Sequence, residues 1–204
     1  GERMFPKNSG YEYSDARCFI VKINEEGSNT KVTYIKGNKT MKTRDCFLEC
    51  ESLEEGSYYF VAEVDWIEAT EDKSFVVTSY GAGGAIWESM EDQVEKNTII
   101  RYAAEALIAL GDNVEMEPNS EEPAIVKYTS SMDFGYKFIA IKNGAEASGY
   151  KETVNYPSFE GLTLMEPESG AGYDILVKAG DTKIILIKES CRGFSFSSSF
   201  SSSI

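Results

Sequence analysis

What most constrains this chain is a recurring pattern of short apolar runs with a period of two, separated by Gly, Asn and acidic turns. Residues 58–66 (YYFVAEVDW) show it best: Tyr58, Phe60, Ala62, Val64 and Trp66 alternate with Tyr59, Val61, Glu63 and Asp65. Alternation sends successive side chains to opposite faces of a strand, so one face is free to be buried. Comparable runs occupy residues 17–23 (RCFIVKI), 31–36 (KVTYIK), 44–51, 73–80 (KSFVVTSY) and 85–87. Turns are expected at residues 25–29 and at Gly37-Asn38-Lys39. In 44–51, Cys46, Leu48 and Cys50 would share one face and Asp45, Phe47 and Glu49 the other. A second set covers 124–128, 136–142, 150–156, 162–165, 173–178 and 182–188, with Gly170, Gly172 and Gly180-Asp181 between runs. Strands spaced this closely predict antiparallel sheets rather than βαβ units.

One segment carries helical periodicity. Residues 90–110 place Val94, Thr98, Tyr102, Leu107 and Ala103, Ala104, Ala106 and Ala109 on a broad apolar surface. Ser89 is the expected N-cap, with Asp92 three residues on, and Gly111 is the expected stop. A surface this wide is expected to pack against both flanking sheets. The predicted fold is therefore mainly β: two antiparallel β-sandwich-like modules joined by one α-helix. The divisions are an extended arm (1–13), a first sandwich (14–88), the connecting helix (89–111) and a second β-rich module (112–204). Within the last, residues 112–122 (DNVEMEPNSEE) read as an acidic loop. In the tail, residues 193–204 (GFSFSSSFSSSI), Phe194, Phe196 and Phe200 fall on the even-numbered face of a final strand.

Chemistry is bounded by what the composition lacks. The sequence contains no histidine, which closes the usual route to an activated Ser or Cys nucleophile. With 34 acids against 20 bases the net charge is −14, which argues against nucleic-acid and anionic-lipid partners unless calcium bridges to the lipid. Residues 81–84 (GAGG) lack the Gly-Lys-Ser/Thr ending of a phosphate loop and read as a hairpin turn. Glu51, Glu54 and Glu55 lie in one loop, and Glu68, Glu71 and Asp72 in another. Calcium needs about six to eight oxygens, so a solvated acidic rim is the first expectation and a calcium site the alternative. Of the four cysteines, Cys46 and Cys50 are too far apart along a strand for an easy bridge. Free, mostly buried thiols in a reducing compartment are expected, with a disulfide pair as the alternative. No apolar run approaches the ~20 residues of a membrane span, and the expected location is cytoplasmic. The chain opens on Gly1, as a processed chain or a piece of a longer one would.

Residues 44–66 (RDCFLECESLEEGSYYFVAEVDW) and 73–84 (KSFVVTSYGAGG) together resemble the β-sandwich that follows the protease core of calpain-type cysteine proteases. Leu53, Gly56 and Tyr58 fit that family's Leu-x-x-Gly-x-Tyr turn, and Phe75 with Tyr80 its next strand. The C-terminal half, through Gly161-Leu162, Tyr173, Gly180, residues 183–187 and 194–204, is similar to the second β-module of divergent calpain-like proteins of single-celled eukaryotes. The resemblance carries over no catalytic residue, because the family's Cys, His and Asn lie in an upstream domain. It implies a non-catalytic structural or protein-interaction module, docking into a larger assembly of cytoskeletal or ciliary kind. The N-terminal arm, the edge strands and Phe194, Phe196 and Phe200 are the candidate partner contacts, with no cofactor. The alternative it implies is a calcium- or phospholipid-responsive regulatory domain of a protease encoded upstream.

Overall fold

The computed structural model describes residues 13–26, 29–41, 43, 45–66, 74–90, 95–111, 114–120, 122–144, 149–166, 172–189 and 195–203. Among these the protein is mainly β, with eleven strands, a single helix and three antiparallel sheets.

The first sheet has the order β2-β1-β3, built from β1 (Asp15–Glu26), β2 (Asn29–Thr40) and β3 (Tyr58–Asp65). Alternation puts Arg17, Phe19 and Val21 of β1 on one face, beside Val61 and Tyr59 of β3 in register. On β2 the register slips near Ile20/Val21, so that Ile20 faces Lys36 and Val21 faces Tyr34. The extra residue, Ile35, is displaced, and the bulge brings Tyr34 and Val32 onto the same inner face.

β2 corrects the expected turn at Gly37-Asn38-Lys39, because the strand runs straight through it. A Cβ on Gly37 would stand 2.6 Å from Phe134 Cδ1 and 2.7 Å from Asp133 Oδ1. Glycine here marks a close approach of another segment and not a reversal of the chain.

The second sheet has the order β4-β5-β6-β10-β8. Its strands are β4 (Glu115–Pro118), β5 (Ile125–Met132), β6 (Tyr136–Asn143), β8 (Leu162–Glu166) and β10 (Thr182–Glu189). β4 lies inside the segment expected to be an acidic loop. The inner strands β6 (YKFIAIKN) and β10 (TKIILIKE) are nearly unbroken apolar runs because both faces of this sheet are covered. Tyr136, Phe138, Ala140 and Leu186 face one core; Ile139, Ile141, Ile185 and Ile187 face the other. Fully burying one such side chain contributes roughly 1.5–3 kcal/mol as an upper estimate.

The first core joins the inner face of the β2-β1-β3 sheet, the helix α1 (Lys96–Leu110) and the β5-β6-β10 face. The helix packs by Ile99, Ile100, Ala103, Ala104 and Leu107, where the alanines allow close approach. The stripe is centred on the two isoleucines; Thr98 and Tyr102 are only half-buried and Ala109 is exposed. The helix begins at Lys96 and not at residue 90, with Glu95 at the N-cap and no side-chain cap bond. Asp92 and Val94 lie outside the described residues. Gly111 ends the helix as expected, at φ 71°, its N–H donating to the Leu107 carbonyl at 3.0 Å.

The second core lies between the other face of the five-stranded sheet and a third sheet of order β11-β7-β9. That sheet consists of β7 (Tyr150–Glu160), β9 (Gly172–Val177) and β11 (Ser195–Ser203) and supplies Tyr150, Ile175 and Val177. The β7–β11 register slips around Tyr156-Pro157, where proline has no N–H for the ladder.

Three expected strands, at residues 44–51, 73–80 and 85–87, do not form among the described residues. Residues 45–57 and 74–90 form no ladder with any described strand, so the residues 81–84 do not turn a hairpin. Of the strands carrying the family resemblance in the first half, β3 forms and residues 45–51 and 74–80 do not. Among the described residues no helix is long and apolar enough to cross a membrane.

Candidate functional site

Three places gather polar or exposed apolar groups. The first is a charged seam between the first two sheets. The parity that buries Phe19 and Val21 also buries Arg17, which is 3% exposed. A buried guanidinium is costly unless it is paired and hydrogen-bonded. Arg17 donates to the Gly135 carbonyl (2.8 Å), the Glu189 carbonyl (3.0 Å) and Asp65 Oδ2 (2.6 Å), and it lies over the Tyr136 ring. Lys188 bridges Glu63 and Asp65, Lys96 reaches Glu63 at 3.3 Å, and Lys39 reaches Glu189 at 2.8 Å. The Tyr136 hydroxyl donates to Glu63 Oε2 at 2.7 Å. Burial alone would push the Glu63 carboxyl up, but Lys188 and Tyr136 outweigh it and hold it at about 2. Burial and the adjoining Glu63 carboxylate push the Tyr136 phenol up. These groups are spent on one another, and the seam cross-links β1 and β3 to β6 and β10.

The second place is a recess of about 220 Å³ floored by Ile125, Ile141, Lys127, Tyr150 and Glu152 and rimmed by residues 117–120. Glu152 is 1% exposed and accepts from Lys127 (2.6 Å) and Tyr150 (2.8 Å). Its carboxylate is thereby paired, which leaves a small polar hollow with its charge already satisfied.

The third is the outer face of the first sheet. Cys18, Asn38, Lys36, Ala62 and Phe60 lie on the face away from the core by parity. Residues 45–57 cross this face on side-chain bonds: Asn38 donates to the Phe47 carbonyl (2.8 Å), Lys36 to the Glu49 carbonyl (2.9 Å), and Lys22 to Glu54. Residues 74–90 follow, touching β3 where Trp87 packs edge-on against Phe60 at 5.7 Å. In this stretch Ile86 is 101% exposed, Tyr80 94% and Val76 79%, with Phe75, Val77 and Trp87 about half exposed. Six large apolar side chains are therefore exposed within thirteen residues of sequence.

Of the contacts expected from sequence, Phe194 lies outside the described residues. Phe196 and Phe200 fall on β11 and are in register with Phe159 and Val154 of β7, and β11 is an edge strand. The arm up to residue 12 lies outside the described residues, as do Glu68, Glu71 and Asp72. Glu54 is tied to Lys22, and among the described residues no three Cys, Asp or Glu side chains converge as a metal site. The exposed apolar segment was not foreseen as a contact; its alternation read as a strand, and only the missing partner strand reveals it as a surface. No family model, curated protein or solved structure matches the chain.

Proposed function

We propose that the chain is a non-catalytic protein-interaction module. The observation that carries this reading is the exposed apolar segment from Phe75 to Trp87, whose Trp87 packs on Phe60 of β3. A partner polypeptide covering Val76, Tyr80 and Ile86 would remove from water side chains that this chain leaves uncovered. The edges of β3 and β11, unpaired among the described residues, offer backbone donors and acceptors for strand addition, with Phe196 and Phe200 on the second. Kinship with the calpain-type sandwich is proposed on the motif residues alone. A larger assembly, cytoskeletal or ciliary, is the setting that kinship implies.

Photo-crosslinking tests the reading in cells. A crosslinker at Val76 or Ile86 is expected to trap a distinct protein, and one at exposed Lys183 is not. Trapping at all three positions alike, or at none, would overturn it. An adduct of twice the chain mass would identify self-association in place of a separate partner.

A further inference from the structure

The sulfurs of Cys18 and Cys46 lie 3.5 Å apart, although 28 residues separate them in sequence. Cys18 sits on the central strand of the first sheet, 4% exposed and fixed by ladders to both neighbours. Cys46 is half-buried in the segment 45–57, which has no ladder and is held over the sheet by side-chain bonds from Asn38 and Lys36. One sulfur is therefore rigid and sheltered, the other reachable and on movable backbone. A disulfide requires the sulfurs to close to about 2.05 Å, a shift the unpaired segment can supply.

We propose that Cys18 and Cys46 form a redox-active pair, oxidised by a low-molecular-weight disulfide, whose bridge pins residues 45–57 to the outer face of the first sheet. The Cys46 thiolate attacks the small disulfide, forming a mixed disulfide and releasing one thiolate. Cys18 then loses its proton, attacks the Cys46 sulfur and expels the second thiolate. Both released thiolates take up protons. Two protein thiols are thus oxidised by two electrons, and one small disulfide is reduced to two thiols. The polarity of the pair fits this order. The two thiols share a hydrogen bond, which with burial holds Cys18 well above the ordinary thiol range. The same hydrogen bond draws Cys46 down against its own desolvation, and the more accessible Cys46 is the attacking sulfur. Cys50 is also half-buried, and no ring or sulfur contact places it beside Cys18.

Reaction of the folded, full chain with glutathione disulfide, followed by peptide mass mapping, tests the proposal. The expected product is a Cys18–Cys46 linked peptide, with the native mass reduced by two hydrogens. Cys50→Ser is expected to leave that product unchanged. Cys18→Ser is expected to accumulate a stable glutathione adduct on Cys46, and Cys46→Ser to leave Cys18 unmodified. A Cys46–Cys50 link, or a persistent adduct on native Cys46, would overturn it. As a check that needs no variant, glutamyl endopeptidase should cut at Glu51, Glu54 and Glu55 more slowly in the oxidised chain, and the melting temperature should rise by roughly 5–12 °C. Equal cleavage of the oxidised and reduced forms would show that the bridge is no clamp.

Discussion

Arg17 donates to the carbonyl of Gly135 at 2.8 Å, joining positions 118 residues apart. Gly135 stands at φ 80° in the tight turn between β5 and β6, and a Cβ there would come within 2.9 Å of Arg17 Nη1. The turn and the guanidinium fit each other because the turn carries no side chain at that point. Next to it Phe134 stacks on Phe19 with ring centroids 4.1 Å apart. The β5–β6 turn is thus the point at which the second sheet packs onto the inner face of the first.

Replacing Arg17 by Met keeps the aliphatic packing but removes the guanidinium's bonds to the Gly135 and Glu189 carbonyls and to Asp65, leaving the Gly135 carbonyl only the Glu189 N–H. The expected loss is about 3 kcal/mol in urea unfolding. Lys151→Ala, at an exposed ion pair with Asp174, should leave the same curve unmoved.

Gly37→Ala drives a methyl into Phe134, Asp133 and Tyr34. It should cost about 1–3 kcal/mol, and Phe134→Ala about 3–5 kcal/mol. Because the second change removes one of the clashing groups, the double variant is expected to lose less than the sum. Thermal or urea melts of the three proteins check this, and strict additivity would show that the two residues do not meet.

Acid should loosen the seam through Glu63. Its folded carboxyl lies at about 2, below the ordinary 4.5, so it contributes stability above pH 4.5 that is lost as pH falls through about 2. After discounting for partial solvent screening the contribution is on the order of 2 kcal/mol. Glu63→Gln should be less stable than the native chain by that amount near neutral pH, the difference vanishing as pH falls below about 2. Stability measured against pH for the two proteins would show the curves converging.

Most of the sheet structure was legible because burial writes itself into parity. Residues 136–143 and 182–189 read as strands, and their unbroken apolar character records a sheet covered on both sides. Residues 45–51 and 74–80 carry the same alternation and form no strand. A period of two states which side chains share a face; it does not supply a neighbouring edge, and without one the ladder cannot form. Gly37 misled for a related reason: a glycine that makes room for Phe134 looks the same in sequence as one that turns the chain. The Cys18–Cys46 approach was likewise hidden, since it depends on an irregular segment folding back over a sheet. The helix stop at Gly111 was plain from local chemistry, whereas the Ile99-Ile100 stripe was fixed only by what the helix packs against.

Residues 75–87 are proposed as a contact surface for another protein. Gentle cell extracts containing either the native chain or a variant with Val76, Tyr80 and Ile86 all changed to Ser should be compared by size-exclusion chromatography with in-line mass measurement. All three side chains are solvent-exposed, so the variant should keep the native fold, as read by its melt. The native chain is predicted to elute in a complex well above its own mass and the folded variant at the mass of a single chain. Elution of both at the single-chain mass, or of both in the same complex, would contradict the account.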